Sequence, residues 1–321
     1  MKAYRVKLEL TGALTQLPDS QKVFGTLVYM LAEKYGGERA TMLTRTLLNR
    51  KASIALSNVM PWGYLPTPQE YLTDRLAEDG GEQSGFKDKR AAIKKRNYIT
   101  IGDVHSVLKN SESLEAVFPY VTLQHQQRLR ISIESIRYGI AELDSKLYSV
   151  PAIELLEITK DATDKEQTKA VKTFCFYLQA DGSGIVGDLL DMLDEATDAR
   201  RTVILGKRAS QGLNTFELCN MIEQDVGQAP AGFFLNTGML LPDKIDFASS
   251  TLKLFTSERR PFEMVGGWDQ KVIKHFISFI AEGSIISAPD GTTAAGKSIK
   301  SCFNENRDIV FGNAFLYPVA L

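Results

Sequence analysis

A strand-like stretch followed by a turn and an amphipathic helix occurs twice in this chain, at its start and again just past the middle. In the first copy, Tyr4–Leu10 (YRVKLEL) alternates apolar and polar residues, the period of a half-buried strand. A turn follows around Gly12 and Pro18. Asp19 or Ser20 then stands ready to cap a helix, QKVFGTLVYMLAEKY, whose Phe24, Leu27, Val28 and Leu31 form one apolar face. Gly36 and Gly37 end it. In the second copy, KTFCFYLQ reads as a strand, a glycine-rich turn follows, and a helix spans about Val186–Thr197 with Leu189, Leu190 and Leu193 as its apolar face. Strand–helix–strand–strand begun twice predicts an α+β protein with antiparallel sheets and two ferredoxin-like (RRM-like) domains, one per half. The polar run Thr159–Lys169 is the expected boundary, dividing the chain into residues 1–160 and 161–321.

The length of 321 residues accommodates two domains at roughly 100–200 residues each. Apolar residues make up 44% of the chain, enough to offset chain entropy and to argue against intrinsic disorder. No stretch approaches the roughly 18 apolar residues of a membrane span. MKAYRVKLEL carries no signal-peptide core, and Cys175, Cys219 and Cys302 lie far apart with no CxxC pair. A cytoplasmic location without disulfide framework or structural zinc is therefore expected. The net charge of −1 excludes a globally basic nucleic-acid binder and leaves local basic patches open.

Further strands are expected in SIALSNVMPWGYLPTP, RLRISIESIRYG, LYSVPAIELLEI, TVILGKRASQGLNTFELCNMI, GFFLNTGMLLP, STLKLFTSERRPF, AEGSIIS and FGNAFLYPVA. The charged segment at about 73–96 reads as a basic surface insertion in the first half. His275 is placed beside an apolar helix face, and Cys175 in a core strand.

Two phosphate-loop patterns are present. GTTAAGKS (Gly291–Ser298) matches G-x-x-x-x-G-K-[ST], but only 23 residues follow Ser298, too few for the parallel sheet that a P-loop opens. GSGIVG (Gly182–Gly187) matches the dinucleotide fingerprint between a strand and a helix. Asp181, Asp188, Asp191, Asp194, Glu195 and Asp198 surround it, a field that repels a pyrophosphate. The expectation there is a tight turn into a crossover helix. His105, His125 and His275 are dispersed and suggest no metal site.

The basic loops carry more. Lys207 and Arg208 lie between Gly206 and Gly212, where glycine lets a sugar-phosphate chain approach the backbone and the cations neutralise it. Arg259 and Arg260 precede Gly266, Gly267 and Trp268, a candidate stacking surface. Arg130 and Arg137 lie along one strand.

Taken in order, these segments resemble the RAMP group of CRISPR-associated proteins, and within it the type III-A (Csm) effector subunit that caps the 5′ handle of the CRISPR RNA (crRNA). The resemblance rests on the first strand with PDSQKVFGTLVYMLAEKYG, then SNVMPWGYLPTP, RISIESIRYGIAELDSKLY, VILGKRASQGLNTFEL in the place of the glycine-rich loop, RRPFEMVGGWDQ, AEGSIIS and FGNAFLYPV. It spans nearly the whole chain. It implies a noncatalytic, cofactor-free subunit that grips the handle and bridges the large polymerase-type subunit to the backbone RAMP subunit. The departures are Leu213 and Asn214 after Gly212, a loop poorer in glycine than in many members, and the P-loop match. The RNA-binding candidates are Ser20, Lys22, Arg130, Arg137, Gly206, Lys207, Arg208, Ser210, Gln211, Gly212, Arg259, Arg260 and Trp268. A RAMP endoribonuclease is the alternative, disfavoured because Ser20–Tyr35 contains no histidine to act as acid or base. An NADP-dependent oxidoreductase using Gly182–Gly187 is a more distant one.

Overall fold

The first strand, β1 (Lys2–Leu10), has both its neighbours in the second half of the chain. This is seen in a computed structural model, which describes residues 1–78, 83–131, 147–182, 184–207, 209–227, 232–259, 275–289, 295–302 and 308–321. The central sheet has the order β10 (Thr202–Ile204), β11 (Thr215–Glu223), β1, β9 (Thr173–Ala180), β2 (Ile54–Leu56), with β3 (Met60–Pro61) also on β9. Every pairing is antiparallel. Helices α1 (Ser20–Tyr35) and α2 (Gly37–Leu48) join β1 to β2, and α6 (Ile185–Asp198) joins β9 to β10. The succession β1–α–β2 and β9–α–β11, in the order 2-9-1-11, is the ferredoxin-like arrangement of two interleaved strand–helix–strand units. The two strand–helix starts legible in the sequence are both present. They share one sheet, and a cut at residue 160 passes through it.

The period of two along β1 explains how the layers form. Leu8 of β1, Phe176 of β9 and Leu218 of β11 face Val23, Leu27 and Met30 of α1. Leu8, Leu31 and Phe216 are completely buried, each stabilising the fold by about 1.5–3 kcal/mol. Arg5, Lys7 and Tyr177 take the opposite face, with Arg5 directly across from Tyr177. Asp19 caps α1, its Oδ1 accepting from the Lys22 backbone N–H at 2.9 Å. Gly36, at φ +89°, ends α1 and begins α2 in one turn, a conformation that favours glycine.

Residues between β3 and β9 build a second sheet, a meander of β4 (Tyr64–Pro66), β5 (Tyr98–Thr100), β6 (Tyr120–Ile131), β7 (Leu147–Lys160) and β8 (Glu166–Ala170) in sequence order. Its connections carry α3 (Gln69–Glu78), α4 (Gln83–Lys95) and α5 (Ile101–Lys109). The expected boundary at Thr159–Lys169 is the β7–β8 hairpin, where Lys160 pairs with Glu166. The described residues of the basic insertion lie mostly on α3 and α4, and its last cation is structural. Arg96 is 5% exposed, donates to the carbonyls of Ala92, Glu115 and Val117, and lies 4.4 Å over the Tyr120 ring.

The C-terminal part forms a third sheet in the order β13 (Asp246–Thr251), β16 (Ile285–Ser287), β12 (Phe233–Asn236), β19 (Leu316–Pro318). Two separate two-stranded sheets accompany it, β14 (Leu254–Arg259) with β15 (His275–Ile280) and β17 (Ile299–Lys300) with β18 (Ile309–Val310). His275 therefore opens a strand and is not on a helix. The C-terminal segment closes on the central sheet: Leu56 N–H donates to Asn313 O and Phe315 N–H to Leu56 O, both at 3.0 Å. Phe24 stacks on Phe311, ring centroids 4.3 Å apart, and Tyr177 on Phe315 at 5.0 Å. Among the described residues no helix is long and apolar enough to cross a membrane.

Candidate nucleic-acid interface

The loop from Leu205 to Asn214, between β10 and β11, is held as one unit with the turn that follows β1. Asn214 is completely buried and has a left-handed backbone (φ 56°). Its Oδ1 accepts from the Thr15 N–H at 2.8 Å, and its Nδ2 donates to Thr15 Oγ1 at 2.8 Å and to the Lys207 carbonyl at 2.9 Å. The lysine's carbonyl is thus turned inward while its side chain stays exposed. Glycine is required at two close approaches. A Cβ on Gly206 would lie 2.9 Å from Asn214 Nδ2, and one on Gly12 would lie 2.2 Å from the Gly212 carbonyl oxygen. Gly212 itself sits at φ +67°. The departure from a richer glycine loop thus has a physical counterpart: an asparagine amide supplies the bonds that shape the loop.

Two further elements reach this loop. Ile153 N–H of β7 donates to the Leu14 carbonyl at 2.9 Å, drawing the β6–β7 hairpin against the turn after β1. Arg130 of β6 then donates from Nη1 to Gln211 Oε1 at 3.3 Å. Arg128, two residues back on the same face of β6, is exposed. On the other side, Thr26 of α1 donates to the Ile204 carbonyl at 3.3 Å. One turn further, Tyr29 is 70% exposed. Lys207, Ser210, Gln211, Arg128, Arg130 and Tyr29 thus lie on elements that meet around one loop. Cations there attract phosphates, and a tyrosine ring offers a stacking face.

The expected residues divide accordingly. Gly206, Lys207, Ser210, Gln211, Gly212 and Arg130 come together. Ser20 does not belong: it is completely buried, and its Oγ accepts from the Met239 N–H at 3.0 Å. Lys22 is ion-paired with Asp19, the cap of its own helix. Arg259 lies on β14 across from His275, in a separate two-stranded sheet. Arg137, Arg208, Arg260 and Trp268 lie outside the described residues. Asn214, Arg128 and Tyr29 escaped the sequence reading. The period of two that marks Arg130 marks Arg128 as well. Nothing in the sequence singles out the asparagine's clamp.

The two phosphate-loop patterns also take definite places. Gly182 (φ +71°) and Gly184 (φ +54°) form the turn into α6, and the surface around them is lined by Asp181, Asp191, Asp194 and Glu223. Of the acidic helix, Asp188 pairs with Arg39 and Glu195 with Lys34, while Asp191, Asp194 and Asp198 are exposed. Gly291–Ala294 lie outside the described residues. Lys297 donates its backbone N–H to the Leu241 carbonyl, and the chain continues into β17, so among the described residues no helix N-terminus faces Lys297 and Ser298.

No protein-family model matches the chain, and no curated protein matches it by sequence. Solved structures do match by shape. A chain of the Csm3–Csm4 subcomplex of the type III-A CRISPR-Cas interference complex superposes with a TM-score of 0.57 at 14% identity, covering 100% of both chains. A chain of a Csm1–Csm4 cassette in complex with pppApA superposes with a TM-score of 0.56 at 16% identity, covering 100% of this chain and 99% of that one. The AMPPNP complex of the cassette gives 0.55 at 17% identity. Csm4 is the component that both kinds of assembly share. The chain has the Csm4 fold. In this chain the fold sets α1, the turn after β1 and the β10–β11 loop side by side, and the second sheet brings the β6–β7 hairpin to them.

Proposed function

We propose that this chain is a noncatalytic RNA-binding subunit of a type III-A CRISPR interference complex. It holds the 5′ handle of the crRNA at the β10–β11 loop and bridges the large polymerase-type subunit to the backbone RAMP subunit. The supporting observation is the end-to-end match to chains of two assemblies that differ in the partner of Csm4. A loop with an outward lysine, flanked by Arg130 and Gln211, gives RNA a place to bind. Lysine and arginine attract phosphates regardless of sequence, and backbone groups opened by Gly206 and Gly212 add a means of reading bases.

The test is guide-RNA retention by Lys207→Ala with Arg208→Ala, assembled with partner subunits, over a salt series. The expected result is weaker retention and a salt slope flatter by roughly 0.7 for each phosphate that the variant no longer neutralises. Unchanged affinity and slope in a folded variant would remove the loop from the RNA site. Sequencing of the RNA that co-purifies from the native host supplies the second arm, with a shared 5′ end as the expected outcome.

A further inference from the structure

The ferredoxin-like order packs α1 against one face of the central sheet. On the opposite face, β1 presents Arg5 and Lys7, two residues apart and both half-buried. Trp62, just after β3, lies over them, its backbone N–H bonded to the Thr173 carbonyl at 3.1 Å. The Arg5 guanidinium carbon is 4.0 Å from the Trp62 ring centroid, and Lys7 Nζ is 5.6 Å from it. Neither cation is ion-paired with a carboxylate among the described residues, and Arg5 Nε is buried without a hydrogen-bond acceptor. Tyr317 borders the same face, 6.3 Å from Tyr177 and 6.5 Å from His105 between ring centroids. Asn220, across from Lys7, is exposed, and Ile222, across from Arg5, is the exposed large apolar side chain of β1, β9 and β11.

We propose that this face is a second contact surface for single-stranded RNA, in which a base stacks on Trp62 and the adjoining phosphates meet Lys7 and Arg5. Half-buried cations beside an aromatic ring, with no carboxylate ion-paired to them among the described residues, suit a polyanion whose units carry flat π faces. A protein partner would call for a broader apolar area than Ile222 supplies. The proposal shares with the handle-binding reading only the premise that the chain meets RNA.

The chain has two tryptophans, Trp62 and Trp268, so Trp268→Phe leaves Trp62 as the sole indole emitter. This full-length variant is titrated with single-stranded oligouridylate. Anisotropy of a labelled strand reports total binding, and the emission of Trp62 reports stacking with an unlabelled strand. Saturable quenching of Trp62 is expected, retained when Lys207→Ala is added. Lys7→Ala is expected to weaken the quenching-derived affinity by about threefold to tenfold and to flatten its salt slope by roughly 0.7. Binding by anisotropy with no change in Trp62 emission, or a Lys7→Ala slope equal to the parent's, overturns the proposal and leaves the handle reading standing. Absence of any binding overturns this proposal, while the handle reading is decided by guide-RNA retention in the assembled complex. Quenching of Trp62 by the partner subunits without RNA makes the face a protein interface and overturns the proposal as well.

Discussion

The side-chain amide of Asn214 engages Thr15 from both ends, its oxygen taking the Thr15 N–H at 2.8 Å and its nitrogen giving to Thr15 Oγ1 at 2.8 Å. Two loops 199 residues apart in the chain are thereby fixed to each other. Asn214→Gly would keep the left-handed backbone and lose these bonds, leaving the Thr15 N–H unsatisfied at a cost of about 1–3 kcal/mol. Asn214→Ala should cost roughly 1–2 kcal/mol more, because the alanine Cβ is strained at positive φ. The expected stability order in urea unfolding is parent, then Gly, then Ala. Equal midpoints for all three would show that the clamp does not hold the loop.

Glycines at two positions should respond to alanine in opposite directions. At Gly12 the new Cβ meets backbone at 2.2 Å, so Gly12→Ala should destabilise by several kcal/mol and loosen the β10–β11 loop. At Gly25, inside α1, nothing lies within 4 Å, and Gly25→Ala should stabilise by about 0.5–1 kcal/mol. Thermal melts of the two variants check both signs at once.

Cysteine reactivity should follow burial. Cys175 is buried in β9, and burial pushes its thiol up to about 12; Cys302 is exposed and Cys219 intermediate. A thiolate is the reactive species, so maleimide should label Cys302 first, Cys219 more slowly, and Cys175 only after unfolding. Mass spectrometry of labelled peptides gives the order. Early labelling of Cys175 in native protein would contradict the packing of β9.

Glu282 ties three parts of the fold together. Tyr98 OH donates to its Oε1 at 3.0 Å and Asn58 Nδ2 to its Oε2 at 2.8 Å, while Asn58 Oδ1 accepts from the Ser20 N–H. Burial raises its carboxyl above the ordinary value of 4.5, and the two hydrogen bonds only partly offset this. An acid whose folded value is raised binds its proton more tightly when folded. Stability therefore falls as pH rises from about 4.5 through the raised value, and is level above it. Asp161 and Asp246 are held below 3.8 by hydrogen bonds, so their stability contribution is lost only at lower pH. Glu282→Gln can keep both bonds, with the amide oxygen accepting from Asn58 and the nitrogen donating to Tyr98. Urea midpoints from pH 4 upward should decline in the parent relative to this variant, and parallel curves would rule the effect out.

Lys297→Ala should leave RNA retention unchanged, since among the described residues no helix N-terminus faces Lys297. Magnesium-dependent ATP binding that disappears in the variant would overturn this.

Local pattern made several elements legible and left their arrangement hidden. The alternation of YRVKLEL marks β1 as a strand, the short apolar run in KTFCFYLQ marks β9, and Asp19 marks the start of α1. Each signal lies within a few residues. The pairing of Arg5 with Tyr177 does not, because it depends on which of many apolar strands bury most surface together. The same limit applies to the site. Glycines and cations at 206–212 are visible in composition, whereas Ser20, a hydroxyl beside a helix start, looks available for phosphate until Met239 is seen to cover it. Trp62 reads as part of a proline-rich segment, and only the folded sheet sets it over Arg5 and Lys7.

A ribosome makes β1 long before either of its two neighbours. β9 begins at Thr173 and β11 at Thr215, so at roughly 5–20 residues per second the first strand waits on the order of ten seconds for one partner and longer for the other. During that interval Val6 and Leu8, destined for the interior, have no sheet to join, although the meander of β4–β8 can pair from nearby sequence. The second sheet is thus free to form early and the central one only once β11 has been made. A nascent chain stalled before residue 173 would expose the edges of β1 to chaperones, or to other nascent copies of itself.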